Sequence, residues 1–225
     1  MAGNLLDFSG KNLTHEAILC ICDHWCISPE ITALDLSGNP LGPSGVAHVA
    51  QYLYMFPNLR TISLARTAMR TEGLKALMQS IRMVPNLEEL DLMENNLDSL
   101  ALFSLAQHML RMEHLKVLNL SRNAFRDTYC DQEKFTITLV PDDVAIGFMK
   151  MFSLCSGRAP LLETLYIHQC HLIPQLLKAL MGDLSIHIKV LDISGNNIDA
   201  ETRRYVTQIA QERHMAGLVN DPEPA

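Results

Sequence analysis

A block of alternating aliphatic residues returns along this chain every 28 residues, and that interval limits the possible folds more than any other feature. The blocks read LDFSGKNL from Leu6, LDLSGNPL from Leu34, ISLARTAM from Ile62, LDLMENNL from Leu90 and LNLSRNAF from Leu118. After a longer gap the series resumes as LYIHQCHL from Leu165 and LDISGNNI from Leu191. Self-similarity at a fixed period marks a repeat array, in which each unit buries its apolar face only against its neighbours. About seven repeats running end to end predict one domain over residues 1–215. The last ten residues, AGLVNDPEPA, have the proline and acid content of a flexible tail over 216–225.

The second copy shows what each unit does. Leu34 and Leu36 alternate with Asp35 and Ser37, the period-2 pattern of a half-buried strand. Asn39 follows where the turning backbone leaves polar groups unpaired, and its amide can bond groups in its own coil and the next. Stacked copies at Asn39, Asn95, Asn123 and Asn196 predict a ladder, with Lys11, Thr67 and Cys170 as weaker rungs. Then come apolar residues at helical spacing: Gly45, Val46, Val49, Ala50 and Leu53, matched by Gly73, Leu74, Leu77, Met78 and Ile81. The small residue opening each set is expected where helix and strand approach closely. Pro29, Pro57, Pro85 and Pro160 punctuate the return to the next strand.

The pattern L-x-x-L-x-L-x-x-N/C-x-L followed by a helix of two to four turns resembles the leucine-rich repeats of the ribonuclease-inhibitor type over roughly residues 4 to 214. The resemblance implies an α/β solenoid, a horseshoe arc with a parallel β-sheet on its concave face and α-helices on its convex face. A C-terminal capping helix is expected over 200–214, with Tyr205, Val206 and Ile209 turned inward. Such coils serve inhibitors, GTPase regulators, innate-immune receptors and actin-filament cappers, so the fold alone does not assign a function.

The distance from Leu118 to Leu165 exceeds the repeat interval, and the excess lies at about 127–143. Phe135, Ile137 and Leu139 alternate with threonines, which suggests a short strand or hairpin. Long insertions are often functional. Tyr129 and Phe135 are its candidate contact residues, the alternative being an insertion that packs only on itself.

By the resemblance, outward positions of successive strands meet the partner. One row reads Asp35, Ser63, Asp91, Asn119, Tyr166, Asp192; the next includes Ala65, Met93, Ser121 and His168; a third includes Arg66, Glu94 and Arg122. Arg66, Glu94 and Arg122 read either as a charged clamp or as an exposed salt-bridge ladder, which would stabilise by only about 0–1 kcal/mol. Tyr166 and His168 read as an aromatic contact patch or as cover for a bare sheet edge. Asp35, Glu88, Glu89, Asp91 and Asp192 favour a partner with a basic surface.

The formal charge of −7 argues against nucleic acid as partner. No signal-peptide pattern or membrane-length apolar run is read, and the six cysteines form no extracellular framework, so a cytoplasmic or nuclear home is expected for a chain that is monomeric on its own. Cys20, Cys22, Cys26 and His24 invite a zinc reading, but Cys22 falls on a core position and the standard zinc spacings are missing. No phosphate loop, G-x-S-x-G or H-E-x-x-H occurs, so neither an enzyme nor a cofactor is expected. The expected function is a non-catalytic scaffold binding another protein through the concave face and the rim near the insertion. The alternatives are a regulator of an enzyme, whose GTPase-activating relatives end in a strongly acidic tail that this chain lacks, or a structural subunit of a cytoskeletal or other large assembly.

Overall fold

The computed structural model describes residues 4–125, 129–131, 136–138 and 141–219. Each repeat is one coil of strand, turn, helix and return. The strands are β1 (Asn4–Asp7), β2 (Ile31–Asp35), β3 (Thr61–Ser63), β4 (Glu89–Asp91), β5 (Val117–Asn119), β6 (Tyr129–Asp131), β7 (Thr136–Thr138), β8 (Thr164–Tyr166), β9 (Val190–Asp192) and β10 (Gly217–Val219). The helices are α1 (His15–Cys22), α2 (Gly42–Tyr52), α3 (Arg70–Ser80), α4 (Ser99–His108), α5 (Asp142–Ser156), α6 (Pro174–Asp183) and α7 (Ala200–Glu212). The main sheet is parallel throughout, in the order β1-β2-β3-β4-β5-β8-β9-β10. Parallel strands stand about 4.8 Å apart, whereas helices with side chains are about 10 Å across. A stack of such coils therefore splays on the helix side, which leaves the sheet as the inner, concave surface.

The leucines of the repeat fill one continuous core. Leu34, Ile62, Leu90, Leu118, Leu165 and Leu191 lie in register on successive strands and are fully buried with the helix residues Val46, Leu74, Leu102 and Leu177. The small residues that open the helix sets answer a different need from the one expected. A side chain at Gly73 would meet the Pro43 backbone of α2 at 3.2 Å, and one at Gly45 would meet Ile18 of α1 at 3.4 Å. The close approach is between consecutive helices, because crowding on the wide side of the stack is greatest there.

The asparagine ladder forms as expected and has a direction. Asn95 Oδ1 accepts the N–H groups of Thr67 at 3.0 Å and Met69 at 3.2 Å from the preceding coil, while its Nδ2 donates to Leu64 O. Asn123 does the same for the N–H groups of Asn95 and Leu97, both at 3.0 Å, and donates to Leu92 O and Leu120 O. Asn39 accepts from Leu13 and donates to Phe8 O. Asn196 accepts from Cys170 and Leu172 and donates to Ile167 O. Thr67 has no amide to offer the coil before it. In that coil the Leu41 N–H, whose equivalents Met69 and Leu97 donate to an asparagine oxygen of the next coil, donates to Asn39 O at 2.7 Å instead. At Cys170 the thiol lies 3.2 Å from Leu120 O, taking the place of an asparagine Nδ2.

The insertion leaves the stack unbroken. β5 pairs directly with β8, Leu118 opposite Leu165, while β6 and β7 form a separate antiparallel hairpin with Tyr129 opposite Thr138. The expected end of the insertion at 143 is corrected: Asp142 and Asp143 open α5, where carboxylates favour the positive end of the helix dipole. The C-terminal boundary is corrected too. α7 forms with Val206 fully buried and Tyr205 and Ile209 packed against the core, but the chain then adds β10 to the open edge of β9. Residues 217–219 are therefore the last rung of the sheet. Arg213 secures this end, its guanidinium donating to Leu184 O at 2.8 Å just beyond α6.

Asn123→Ala strips acceptors from two buried N–H groups and donors from two buried carbonyls. At roughly 1–3 kcal/mol per buried group left unpaired, the loss should reach about 3 kcal/mol or more in urea unfolding. Cys170→Asn should instead raise the melting temperature, and an unchanged or lower value would contradict the ladder account.

Candidate partner-binding face

The outward side chains of the sheet do two separate jobs, and the sequence did not distinguish them. The last residue of most strands in the main sheet is an acid or amide whose Oδ1 turns back on its own chain. Asp35 accepts the Ser37 N–H at 2.9 Å, Asp91 that of Met93 at 3.0 Å, Asn119 that of Ser121 at 3.1 Å and Asp192 that of Ser194 at 3.0 Å. These bonds tighten the bend that leads each strand into its turn. Asp35, Asp91 and Asp192 thus have a structural use within the coil.

Just before each strand runs a row that had escaped notice. Arg60, Glu88, Lys116, Glu163 and Lys189 occupy equivalent positions, each bonded through its backbone to the next, with charges alternating along the row. Glu88 pairs with Arg60 and, at 2.6 Å, with Lys116; Glu163 pairs with Lys189 at 2.7 Å. Both partners hold the Glu88 carboxyl below its ordinary range, the Lys116 bond foremost. Glu88, expected to add free negative charge, is therefore neutralised. The signal was present at the repeat interval but two residues before the blocks begin.

Above that row the charge is not balanced. Glu89 and Asp91 project from β4 beside Thr61 and Ser63 on β3 and beside Val117 and Asn119 on β5. With Tyr166 they line a shallow depression of about 230 Å³ at the centre of the sheet. Burial pushes the Asp91 carboxyl above its usual range, and the like charge of Asp35 adds to this, against the Met93 and Asn119 hydrogen bonds and the Arg66 charge. Of the expected contact residues, Asp91 and Tyr166 meet in this depression and Asp35 stands two rungs away. Thr61, Glu89 and Val117 belong to it as well, from a row that the sequence reading had not assembled.

The remaining expected residues lie on the rim beyond the strands. His168 Nδ1 sits 3.7 Å from Asp192 Oδ2, and Met93, just beyond β4, is half-buried. Ala65 and Ser121, expected to face outward, are buried. Arg122 Nη1 reaches Glu94 Oε2 at 3.4 Å, but Arg66 makes no ion pair among the described residues, so the three do not form a continuous clamp. Tyr129 lies in β6; Phe135 is outside the described residues. No group of three metal-binding side chains occurs among the described residues.

The rim residues share one backbone property, found also at Asn12, Ala68, Arg70, Asn96, His171 and His214. Arg66, Glu94, Arg122 and Gln169 adopt left-handed backbone with φ between 50° and 57°, at the turn position that Gly10, Gly38 and Gly195 fill in the other coils. Left-handed geometry costs a side-chain-bearing residue roughly 1–2 kcal/mol. The central coils thus carry large exposed side chains where glycine makes the same turn without that strain.

The upward shift at Asp91 has a consequence for stability. Its folded carboxyl holds a proton more tightly than the unfolded one, so the charge opposes folding once pH rises above the folded value, and this penalty fades as pH falls through the carboxylate range. Asp91→Asn keeps an oxygen for the Met93 N–H, as Asn119 does one coil later. It should raise stability at pH 7 by about 0.5 kcal/mol or more, with the gain vanishing in acid. A gain that persists undiminished at low pH would point to another cause.

Comparison with known proteins adds to this geometry. The family described as Leucine Rich repeat matches residues 28–50, 85–106, 111–128 and 184–201. No curated protein sequence shows a significant match. Among solved structures, an internalin from Listeria monocytogenes is similar at a TM-score of 0.45 with 11% sequence identity, over 91% of this chain and 51% of the internalin, so the chain spans about half the length of that protein. Among the described residues, no helix is long and apolar enough to cross a membrane. The matched stretches coincide with coils whose strands and ladder asparagines have just been described, and the fold is that of a leucine-rich repeat solenoid.

Proposed function

We propose that this chain is a non-catalytic interaction module that holds a partner protein against its concave sheet and against the rim formed by Arg66, Glu94, Arg122 and Gln169. The left-handed backbone of those four residues carries the reading. Strain tolerated at exposed positions, where the same chain elsewhere uses glycine, is accounted for when the side chains are needed for contact. The insertion adds to it, because its hairpin leaves from within the coil of Arg122, between β5 and α5, next to the coil of Tyr166 and His168. A helix of two to four turns on every coil favours the ribonuclease-inhibitor type among leucine-rich repeats. The five described cysteines are free thiols, which suits a reducing compartment such as the cytoplasm or nucleus.

The test is a trade between stability and binding. Glu94→Gly and Arg122→Gly should each stabilise the fold by up to about 1 kcal/mol, the relieved strain less the added freedom of glycine in the unfolded chain. Both should weaken capture of a partner from native lysate, identified by mass spectrometry with the native chain. Glycine variants that are more stable and bind that partner undiminished would remove the rim from the interface. Deleting residues 128–141 should leave the sheet folded, since β5 pairs directly with β8, and should reduce capture. Full capture by the folded deletion would exclude the hairpin.

A further inference from the structure

The centre of the concave sheet is built to receive one positively charged side chain. The rows that face the concave space carry Asp35, Glu89, Asp91 and Asp192 on β2, β4 and β9, and no lysine or arginine. The cations nearest in sequence, Arg60, Lys116 and Lys189, are held in the row below by Glu88 and Glu163. Glu89 differs from its neighbour Glu88 in this respect: its cross-strand partners Thr61 and Val117 are uncharged, and it makes no ion pair among the described residues. Glu89 and Asp91 therefore face the depression without an ion-pair partner among the described residues, Arg66 on the rim being the cation that acts on Asp91 from a distance.

The shape of that space selects the occupant. Asp91 and Tyr166 stand on strands two rungs apart, roughly 10 Å by ordinary strand spacing, with only Asn119 between them. Val117 provides a short apolar floor, and Tyr166 a wall whose ring face attracts a cation. At about 230 Å³ the depression is smaller than the roughly 300–1,000 Å³ typical of small-molecule sites, and it is open rather than enclosed. It suits a long side chain inserted from a surface lying across the sheet. The same desolvation that raises the Asp91 carboxyl strengthens attraction to a cation placed beside it.

We propose that this depression is the anchor point for an arginine of the partner protein, its guanidinium bound by Glu89 and Asp91 and covered by the Tyr166 ring. This rests on the interaction reading above and specifies the chemistry of the partner. Arginine fits better than lysine because its planar group can stack on the ring while donating to two carboxylates.

The probe is the peptide acetyl-Gly-Arg-Gly-amide, titrated into isotopically labelled protein and followed at the Val117 methyl and Tyr166 ring resonances. Saturable shifts at both positions are expected. They should be at least tenfold weaker for the lysine peptide and negligible for the citrulline peptide, which keeps the shape but removes the charge. The Glu89→Gln/Asp91→Asn double variant should lose the response, and Tyr166→Leu should weaken it while Tyr166→Phe retains it. The remaining resonances report whether each variant is folded. Absence of a saturable shift, equal binding of citrulline, or an undiminished response in the folded double variant would each overturn the proposal. The two readings separate in the capture experiment. If the double variant holds the native chain's partner with unchanged affinity, the anchor is wrong and the interaction module stands. If the native chain captures no specific partner but the arginine peptide binds as described, the anchor stands and the module reading falls.

Discussion

Every coil of this protein depends on a carbonyl supplied by the next. A strand that turns into a helix within a few residues leaves N–H groups that its own backbone cannot reach, and burying them unpaired would cost roughly 1–3 kcal/mol apiece. Asn95, Asn123 and Asn196 meet that need for the coil before them, each with one oxygen shared by two donors. The direction of giving makes the array asymmetric. Asn39 at the N-terminal end serves Leu13, so the first coil needs no asparagine of its own, and Lys11 can stand exposed at the ladder position. At the opposite end the need is met by different means, a helix tied back by Arg213 and a final strand that covers the edge of β9.

This support fixes the concave face. Because the ladder and the aliphatic core set the position of every strand, the outward rows come into register without any contact among themselves. Rows can then specialise. The lower row alternates Arg60, Glu88, Lys116, Glu163 and Lys189 and balances its own charge. In the upper rows Glu89 makes no ion pair among the described residues, and burial of Asp91 outweighs the Arg66 charge that acts on it. Negative potential held in place by the backbone attracts a partner more effectively than the same charges on mobile loops, because no conformational entropy is lost when the partner arrives.

How much was legible follows from the same division. The leucine positions, the ladder and the helix faces repeat in sequence because they repeat in contact, so Leu34 to Leu191 and Asn39 to Asn196 could be placed from spacing alone. The exceptions Thr67 and Cys170 were visible, but the compensation was not: Leu41 N–H turns to Asn39 O within its own coil, a bond that no residue type announces. Gly217, Leu218 and Val219 looked like tail because their neighbours are prolines and acids. Their strand exists because β9 offers an open edge, which is a property of the stack and not of those residues. The acids of the face were identified, but their individual fates were not. Asp35 and Asp192 differ from Glu88 and Glu89 through single cross-strand neighbours, and those neighbours are known only once register is known.

The rim raises a last physical point. A turn repeated in every coil would be cheapest with glycine throughout, as Gly10, Gly38 and Gly195 demonstrate. Gly195 is in fact required, since a side chain there would strike Gln169 Cγ. Yet the coils between carry Arg66, Glu94, Arg122 and Gln169, and each holds a long polar side chain outward by a strained backbone. The strain also limits the directions in which these side chains can leave the turn, because a left-handed residue within a hydrogen-bonded coil has little backbone freedom. A rim built this way is less stable than a glycine rim. The stable core and ladder sustain that loss over the middle coils, where the depression and the insertion also lie, and the ends of the array keep the unstrained turn.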